Sequence, residues 1–278
     1  MVTDHPIGVG ATEALSLRVS VAALVRVLFG SPEDGRTMLA LERTATLREI
    51  EGRREVTVVA KPFGGGVRVA DPLGLKELIG DFHYDSERSR REMDFRIQIR
   101  PTAWEKVKEI CRGHLRESER AVLDASPDRE LGEEFEDTLG VSITRQQYRL
   151  QPRGMAVEDV PVETGNVRAP GLPTVRVYYV FEAWIEAPRL ISMMLANDRR
   201  YSDEELRESA RQDARRGGRG RANAILTLGL DALQDAYRAV PLDRRGGPIR
   251  VGEHRLDGNV LAILDEVDQT RYQRYARQ

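Results

Sequence analysis

Cysteine is almost absent: Cys111 is the only one in 278 residues. That excludes an internal disulfide and fits a reducing compartment. Set in an apolar stripe, this thiol reads as core rather than as a nucleophile. Lysine is scarce too, with Lys61, Lys76, Lys106 and Lys108 the only four among 43 basic residues. So strong an arginine bias points to a GC-rich genome, and arginine clusters count for less as phosphate or nucleic-acid signals. The four histidines, His5, His83, His114 and His254, are scattered and suggest no cluster. Zinc spacing, a Walker loop, a serine-hydrolase elbow and internal repeats are all missing. No apolar run reaches the ~20 residues of a transmembrane helix, and the N-terminal stretch lacks the apolar core of a secretion signal. Net charge is −2, so no overall field draws in nucleic acid or a membrane surface. The expectation is a cytoplasmic protein without a membrane or nucleic-acid partner.

What remains is an ordinary globular composition, 40% hydrophobic and 32% charged, long enough for one large domain or two small ones. Met1 to Ala14 carry no periodicity and are expected to be loose. Leu17 to Phe29 reads as a buried strand, and the turn Gly30 to Gly35 folds it into a hairpin with Thr37 to Arg43. Thr44 to Arg54 is polar and is expected to be a loop or short helix. Glu55 to Ala60 is a third strand, running into Lys61-Pro62-Phe63-Gly64-Gly65-Gly66. Leu73 to Gly80 suggests a short helix. Met93 to Arg100 alternates Phe95, Ile97 and Ile99 on one face and reads as a half-buried strand. Thr102-x-x-Glu105 is a capping box for a helix striped by Trp104, Val107, Ile110, Cys111 and Leu115, running to about Ala125. Val141 to Gln151 is strand-like, Arg153 to Pro173 reads as an irregular loop, and Thr174 to Ile185 is the strongest strand pattern in the chain. Ser202-x-x-Glu205 caps a further helix. Arg215 to Arg221 is a basic, glycine-rich break whose bland reading is a solvated interhelix turn and whose functional reading is phosphate or nucleic-acid contact. Ala222 to Val240 is expected to be an amphipathic helix, followed by a short strand, Ile249 to Val251, and a helix over Val260 to Val267.

The chemistry gathers on Ser126 to Val141. Ser126 as N-cap and Pro127 at the first position start a helix, and Gly140 ends it. Glu130, Glu133, Glu134 and Asp137 fall at i, i+3, i+4 and i+7, so four carboxylates share one face. Leu131 and Phe135 anchor the helix to a core. Like charges at this spacing repel by a few tenths of a kcal/mol per pair, roughly. A cation would remove that penalty, and oxygen ligands suit Mg²⁺ or Mn²⁺. A solvated acidic face is the bland alternative.

Arg129-Glu130-Leu131-Gly132-Glu133-Glu134 also matches, residue for residue, the R-E-U-x-E-E core of the Nudix box, and the strands leading into a Pro-Gly-Gly turn resemble the Nudix fold. The resemblance covers about Leu17 to Val67 and Pro127 to Ile185. It departs from the full pattern, G-x5-E-x7-R-E-U-x-E-E-x-G-U, in two places. Asp71 stands where the first Glu belongs, and several tens of residues separate it from Arg129. Phe135 to Leu139 then separate the Glu pair from Gly140. Either the helix is one turn longer, or the register shifts by four, which puts Glu134, Asp137 and Thr138 in the ligand positions. The unshifted register keeps every carboxylate and is preferred.

The fold class read here is α/β: a Nudix-like mixed β-sheet sandwich over residues 15–200, with an inserted strand–helix segment at about 72–125 and a helical C-terminal extension over 201–278. The insertion is expected to be a separable cap or edge extension at the mouth of the cleft. The resemblance implies a Mg²⁺- or Mn²⁺-dependent hydrolase of a nucleoside diphosphate linked to another group. In that reading Glu130, Glu133 and Glu134 hold the metal, Arg129 orients a glutamate, and Gly64 and Gly65 let backbone approach the metal–phosphate centre. Asp71 is doubtful, and Glu182 and Glu186 are positional candidates for a further acid. A nucleotide is the expected ligand, and the C-terminal helices offer a surface for a protein partner. Two other readings stay open: an inactive Nudix-like module that binds a nucleotide or a protein as a sensor, and a scaffold whose acidic helix is merely solvated.

Overall fold

The computed structural model describes residues 15–50, 53–116, 122–163, 171–239, 249–264 and 272–276. The expectations for Met1 to Ala14, for the side chain of Leu115 and for the end of a helix beyond Leu264 lie outside them. The chain opens with a hairpin, β1 (Leu17–Gly30) and β2 (Thr37–Ile50), and returns as β3 (Arg53–Lys61) and the glycine strand β4 (Phe63–Gly66). Next come β5 (Arg68–Val69), α1 (Pro72–Ile79), β6 (His83–Tyr84), α2 (Glu87–Glu92), β7 (Arg96–Ile99), α3 (Trp104–Arg116) and β8 (Leu123–Asp124). The acidic helix α4 (Pro127–Leu139) precedes two long strands, β9 (Tyr148–Glu163) and β10 (Pro173–Ile185). The rest is α5 (Pro188–Arg200), α6 (Asp203–Arg215), β11 (Arg221–Gly229), α7 (Leu230–Arg238), β12 (Ile249–Val251), β13 (His254–Leu256), a 3₁₀ turn (Gly258–Ile263) and β14 (Gln273–Ala276). The class is mixed α/β, built on one large mixed sheet. No helix among the described residues is long and apolar enough to cross a membrane.

β1 is the axis of the sheet. One edge runs parallel to β10, from Arg18 opposite Thr174 to Leu28 opposite Trp184. The other edge is shared by three antiparallel strands in turn: β7 at Leu17 to Ser20, β4 at Ala22 to Val25, and β2 at Val27 to Gly30. Both faces of β1 are buried, which is why its sequence is nearly continuously apolar. Val19 and Val21 face a cluster containing α1 and α3, Val25 and Val27 face α4 and α5, and Leu24 and Leu28 face the C-terminal pieces. β2 then leaves β1, pairing with β3 on one edge and β11 on the other.

Several expectations are corrected here. Thr44 to Arg54 is no loop: β2 and β3 continue through Ile50 and from Arg53. It read as a loop because one face of this part of the sheet is polar, while ladder bonds to two neighbours hold the backbone extended. Ala222 to Gly229 is strand β11, and only Leu230 to Arg238 is helical. Leucines at a helical spacing concealed a segment whose Ala224, Ile225, Leu226 and Leu228 are buried against β2 and its covering helices. The C-terminal region is therefore mixed, with strands β11 to β14 joining the main sheet. Of the loop expected after Arg153, the part through Glu163 is strand, its Pro152 and Gly154 absorbed at a register shift opposite Val180 and Phe181. Residues 164–170 lie outside the description. The segment Val141 to Gln147 is not strand, and β9 begins only at Tyr148. The helix expected at Thr102 starts after a 3₁₀ turn at Pro101–Ala103, and Leu123–Asp124 is strand where helix was expected. The capping box at Ser202 and Glu205 forms in both directions.

The inserted segment is woven into the body. β7 hydrogen-bonds to β1, and Phe95, Ile97, Ile99, Trp104, Val107, Cys111 and Leu123 share one cluster with Val19, Val21, Val177 and Tyr179. The Tyr179 hydroxyl donates to the carbonyl of Cys111 at 2.9 Å. Each large side chain buried there contributes about 1.5–3 kcal/mol, and together they exceed the ~5–15 kcal/mol by which a domain is stable. Replacing residues 72–125 with a short Gly/Ser linker is thus expected to abolish folding. A cooperative thermal transition near that of the intact chain would contradict this integration.

Candidate functional site

Helix α4 forms where the sequence signals it. Pro127 occupies its first turn, and Gly140 at φ 67° takes the left-handed conformation that ends it. Ser126 flanks the helix without a side-chain capping bond. Leu131 and Phe135 are fully buried, and the Phe135 ring packs on Phe63 of the glycine strand at 5.1 Å. That pair holds α4 down on β4, leaving the rest of the strand without room for side chains. At Gly64 (φ 136°) a Cβ would lie 2.0 Å from the carbonyl oxygen of Ala23. At Gly65 it would lie 1.7 Å from Oε2 of Glu130, and at Gly66 1.9 Å from Oδ1 of Asp94. Each glycine of the triplet therefore answers to a different contact.

Glu130 is buried with its carboxyl on the backbone of Gly65. Arg129 lies 2.5 Å from Glu130 and 3.3 Å from Glu133, bridging the two. Burial nevertheless wins at Glu130: desolvation raises its pKa above the usual range in spite of Arg129. Glu133 is exposed.

One turn on, Glu134 enters a charged cluster that the motif does not contain. Glu42 of β2 is completely buried there. Its carboxylate lies 2.6 Å from Nζ of Lys61, and it accepts from Arg221 and from the Thr44 hydroxyl, each at 2.8 Å. Lys61 also lies 3.8 Å from Glu134. Burial opposes ionisation of Glu42, but Lys61, Glu134 and Arg221 outweigh it and hold the group well below the usual carboxyl range. For Glu134 burial dominates and the neighbouring Glu42 charge adds to it, so its pKa is raised to about 8. With both groups ionised, Oε2 of Glu134 is buried without a hydrogen-bond donor among the described residues. A proton on Glu134 lets it donate to Glu42, which explains why the charge stays on the better-partnered acid.

The expected site residues thus separate. Glu130, Gly64, Gly65 and Arg129 meet at the helix–strand contact, Glu134 joins Glu42, and Glu133 points to solvent. Asp137 is exposed and Thr138 buried. Asp71 caps α1 by accepting from the Gly74 amide, so it serves a different helix. Glu182 accepts from Gln151 beside Arg26, and Glu186 pairs with Arg149. Sequence reasoning missed Glu42, Lys61 and Arg221 as site residues. The available signal was a Glu–Arg pair, Glu42 and Arg43, directly after the apolar run Met38 to Leu41. The carboxylate oxygens of Glu130, buried, and Glu134, half-buried, are of the kind that suits a hard divalent cation. Among the described residues no three His, Cys, Asp or Glu side chains converge as a ready metal cluster.

The pH dependence of stability follows from these shifts. Groups whose folded pKa is raised, Glu134 and Glu130, contribute stability that is complete below the ordinary glutamate value and is lost as pH rises through the folded value. For Glu134 the window runs from 4.5 to about 8. Tm of the intact protein is expected to fall between about pH 5 and 8, and Glu134→Gln to flatten that fall. An unchanged slope in the variant would contradict the shared proton.

No family model, curated protein or solved structure matches this chain.

Proposed function

We propose that the face formed by α4 and the glycine strand binds the diphosphate of a nucleotide together with Mg²⁺ or Mn²⁺ and hydrolyses it, as the resemblance to Nudix hydrolases implies. The observation carrying this reading is the pair Glu130 and Glu134, two carboxyls with raised pKa one turn apart on α4, Glu130 buried against the backbone of Gly65 and Glu134 half-buried beside Glu42. When bound, the cation would offset the charge of the diphosphate and acidify the attacking water. The chain supplies the rest. Arg129 fixes the carboxyl of Glu130 against Gly65, and the exposed Glu133, held by the same guanidinium, would be a further ligand on leaving Arg129. Lys61 and Arg221, at 2.6 and 2.8 Å from Glu42, are cations placed to meet phosphate oxygens. Once ionised, as pH rises through about 8, Glu134 suits a general base. It takes the proton of a water whose oxygen bonds to phosphorus as the bridging P–O bond breaks. A reducing cytoplasm is the compartment proposed, in keeping with a single buried thiol, Cys111, whose pKa burial pushes up to about 12.

A binding module without turnover is the second reading. Its support is that Arg129 and Lys61 already partner the carboxylates that a metal would require. Turnover separates the two. Across a panel of nucleoside diphosphate derivatives with Mg²⁺ or Mn²⁺, release of a nucleoside monophosphate is expected. Glu130→Gln should lower the rate by about two orders of magnitude or more, because a ligand in a metal site controls several kcal/mol of charge stabilisation. Asp137→Asn, on an exposed residue, should leave it unchanged. Loss with Asp137→Asn alone would overturn the assignment, and no turnover by the intact protein would favour the binding module.

A further inference from the structure

Helix α4 ends at Gly140, and no regular ladder begins until Tyr148. The connection between them lies against the start of α5: the amides of Glu186 and Ala187 donate to the carbonyl of Gln147 at 3.0 and 3.3 Å. Along it Val141 and Ile143, half-buried, alternate with exposed Ser142 and Thr144. Both apolar side chains pack on the cluster that contains Leu190 of α5. The 3₁₀ turn Arg145–Gln147 follows, closed by reciprocal bonds between Thr144 and Gln147. Packing does not close completely, and a cavity of about 270 Å³ remains between the connection and the helix.

The lining of this cavity has one chemical character. Val141, Ile143, Leu190 and Met193 are its apolar walls. Its polar groups are Ser142, Gln147 and Arg189, and each can donate a hydrogen bond. No acidic side chain among the described residues lines it. Gln147 is fixed by the turn, its Oε1 accepting from the Thr144 amide at 2.7 Å, so its Nε2 is a donor left over among the described residues. The neighbouring guanidinium groups are taken: Arg145 lies 3.0 Å from Asp128, and Arg149 2.7 Å from Glu186. Arg189 is exposed and forms no ion pair among the described residues. Exposure alone would make it an ordinary surface arginine. What sets it apart is the apolar cavity beside it, with no acid on the wall.

Small-molecule sites combine apolar walls with a few orienting polar groups, and this lining suits an apolar body that ends in an anion. One uncommitted guanidinium matches a single negative charge, and its planar fork fits a carboxylate through two parallel bonds. A phosphate dianion would leave a charge unmatched beside apolar walls. The volume falls below the ~300–1,000 Å³ of pockets for drug-sized ligands, so the apolar body must be short. We infer that this cavity binds a short aliphatic monocarboxylate, its chain against Val141, Ile143, Leu190 and Met193 and its carboxylate on Arg189 and Nε2 of Gln147. The site is separate from the face of α4 and the glycine strand, and does not depend on that face binding a nucleotide.

Three probes test it by calorimetry on the full-length protein: hexanoate, hexanamide, which keeps the chain without the charge, and acetate, which keeps the charge without the chain. The intact protein should bind hexanoate at least about tenfold more tightly than either of the others, the scale of one charge-assisted contact or of a few buried methylenes. Arg189→Ala, a change at an exposed side chain, should keep the Tm of the intact protein. It should bind hexanoate no better than hexanamide, with the hexanamide affinity within about twofold of that of the intact protein. Hexanoate should also move the methyl NMR signal of Met193 while leaving that of Met38, on the far side of α5, in place. Equal affinity for hexanoate and hexanamide, acetate bound as tightly as hexanoate, or a preference for hexanoate that survives in Arg189→Ala would each overturn the inference. So would an unmoved Met193 signal, or no binding of hexanoate at millimolar concentration.

Discussion

The glycine strand has no space for a side chain, and that constraint organises what surrounds it. Gly64 lies against the backbone of β1, Gly65 beneath the carboxyl of Glu130, and Gly66 beneath that of Asp94. The consequences of adding a methyl differ by position. At Gly64 the obstacle is fixed main chain and φ is already in a region that disfavours other residues. At Gly65 it is the end of one glutamate side chain. The first contact belongs to the fold and the second to the candidate site, although the two residues are adjacent. Because β4 fills the middle of the edge that β1 also shares with β7 and β2, a change in its path would reach all three partners.

Burying charge is the second constraint. Glu42 and Glu130 are withdrawn from water and Glu134 partly so, and a buried ionised carboxylate costs roughly several kcal/mol unless paired. The molecule meets this in three ways. Glu42 collects Lys61, Arg221 and Thr44, Glu134 retains a proton, and Glu130 leans on Arg129 without full compensation. Such unequal environments for neighbouring acids are the arrangement that separates proton-holding from charge-holding roles. They lie at the edge of the apolar cover given by α4.

Much of this was legible in the chain, for physical reasons that differ by segment. The strands β1 and β10 were readable because both faces are buried, and α4 because Pro127, the Leu131–Phe135 pair and Gly140 all agree. The sandwich of Nudix type remains a resemblance beyond the mixed α/β class. The polar continuation of β2 and β3 was misread because its face is not apolar, and β11 because Leu226 and Leu230 happen to fit a helical stripe. Neither Glu42 nor Arg221 could be placed beside Glu134 from sequence: they come from strands 179 residues apart, joined only through pairing with β2. The inserted segment read as separable because it interrupts a motif, whereas its apolar residues complete the cluster on β1.

The central claim is that Glu130, seated on Gly65, is part of a metal–nucleotide site, and Gly65→Ala tests it most directly. The added methyl must displace the Glu130 carboxyl but meets no main chain within the distance of that contact. Binding of ADP-ribose with Mn²⁺ would be measured calorimetrically alongside Tm for the intact protein and the variant. The account predicts a folded variant with Tm close to that of the intact protein and at least about a tenfold loss of Mn²⁺-dependent binding. Undiminished binding in a folded Gly65→Ala protein would contradict it.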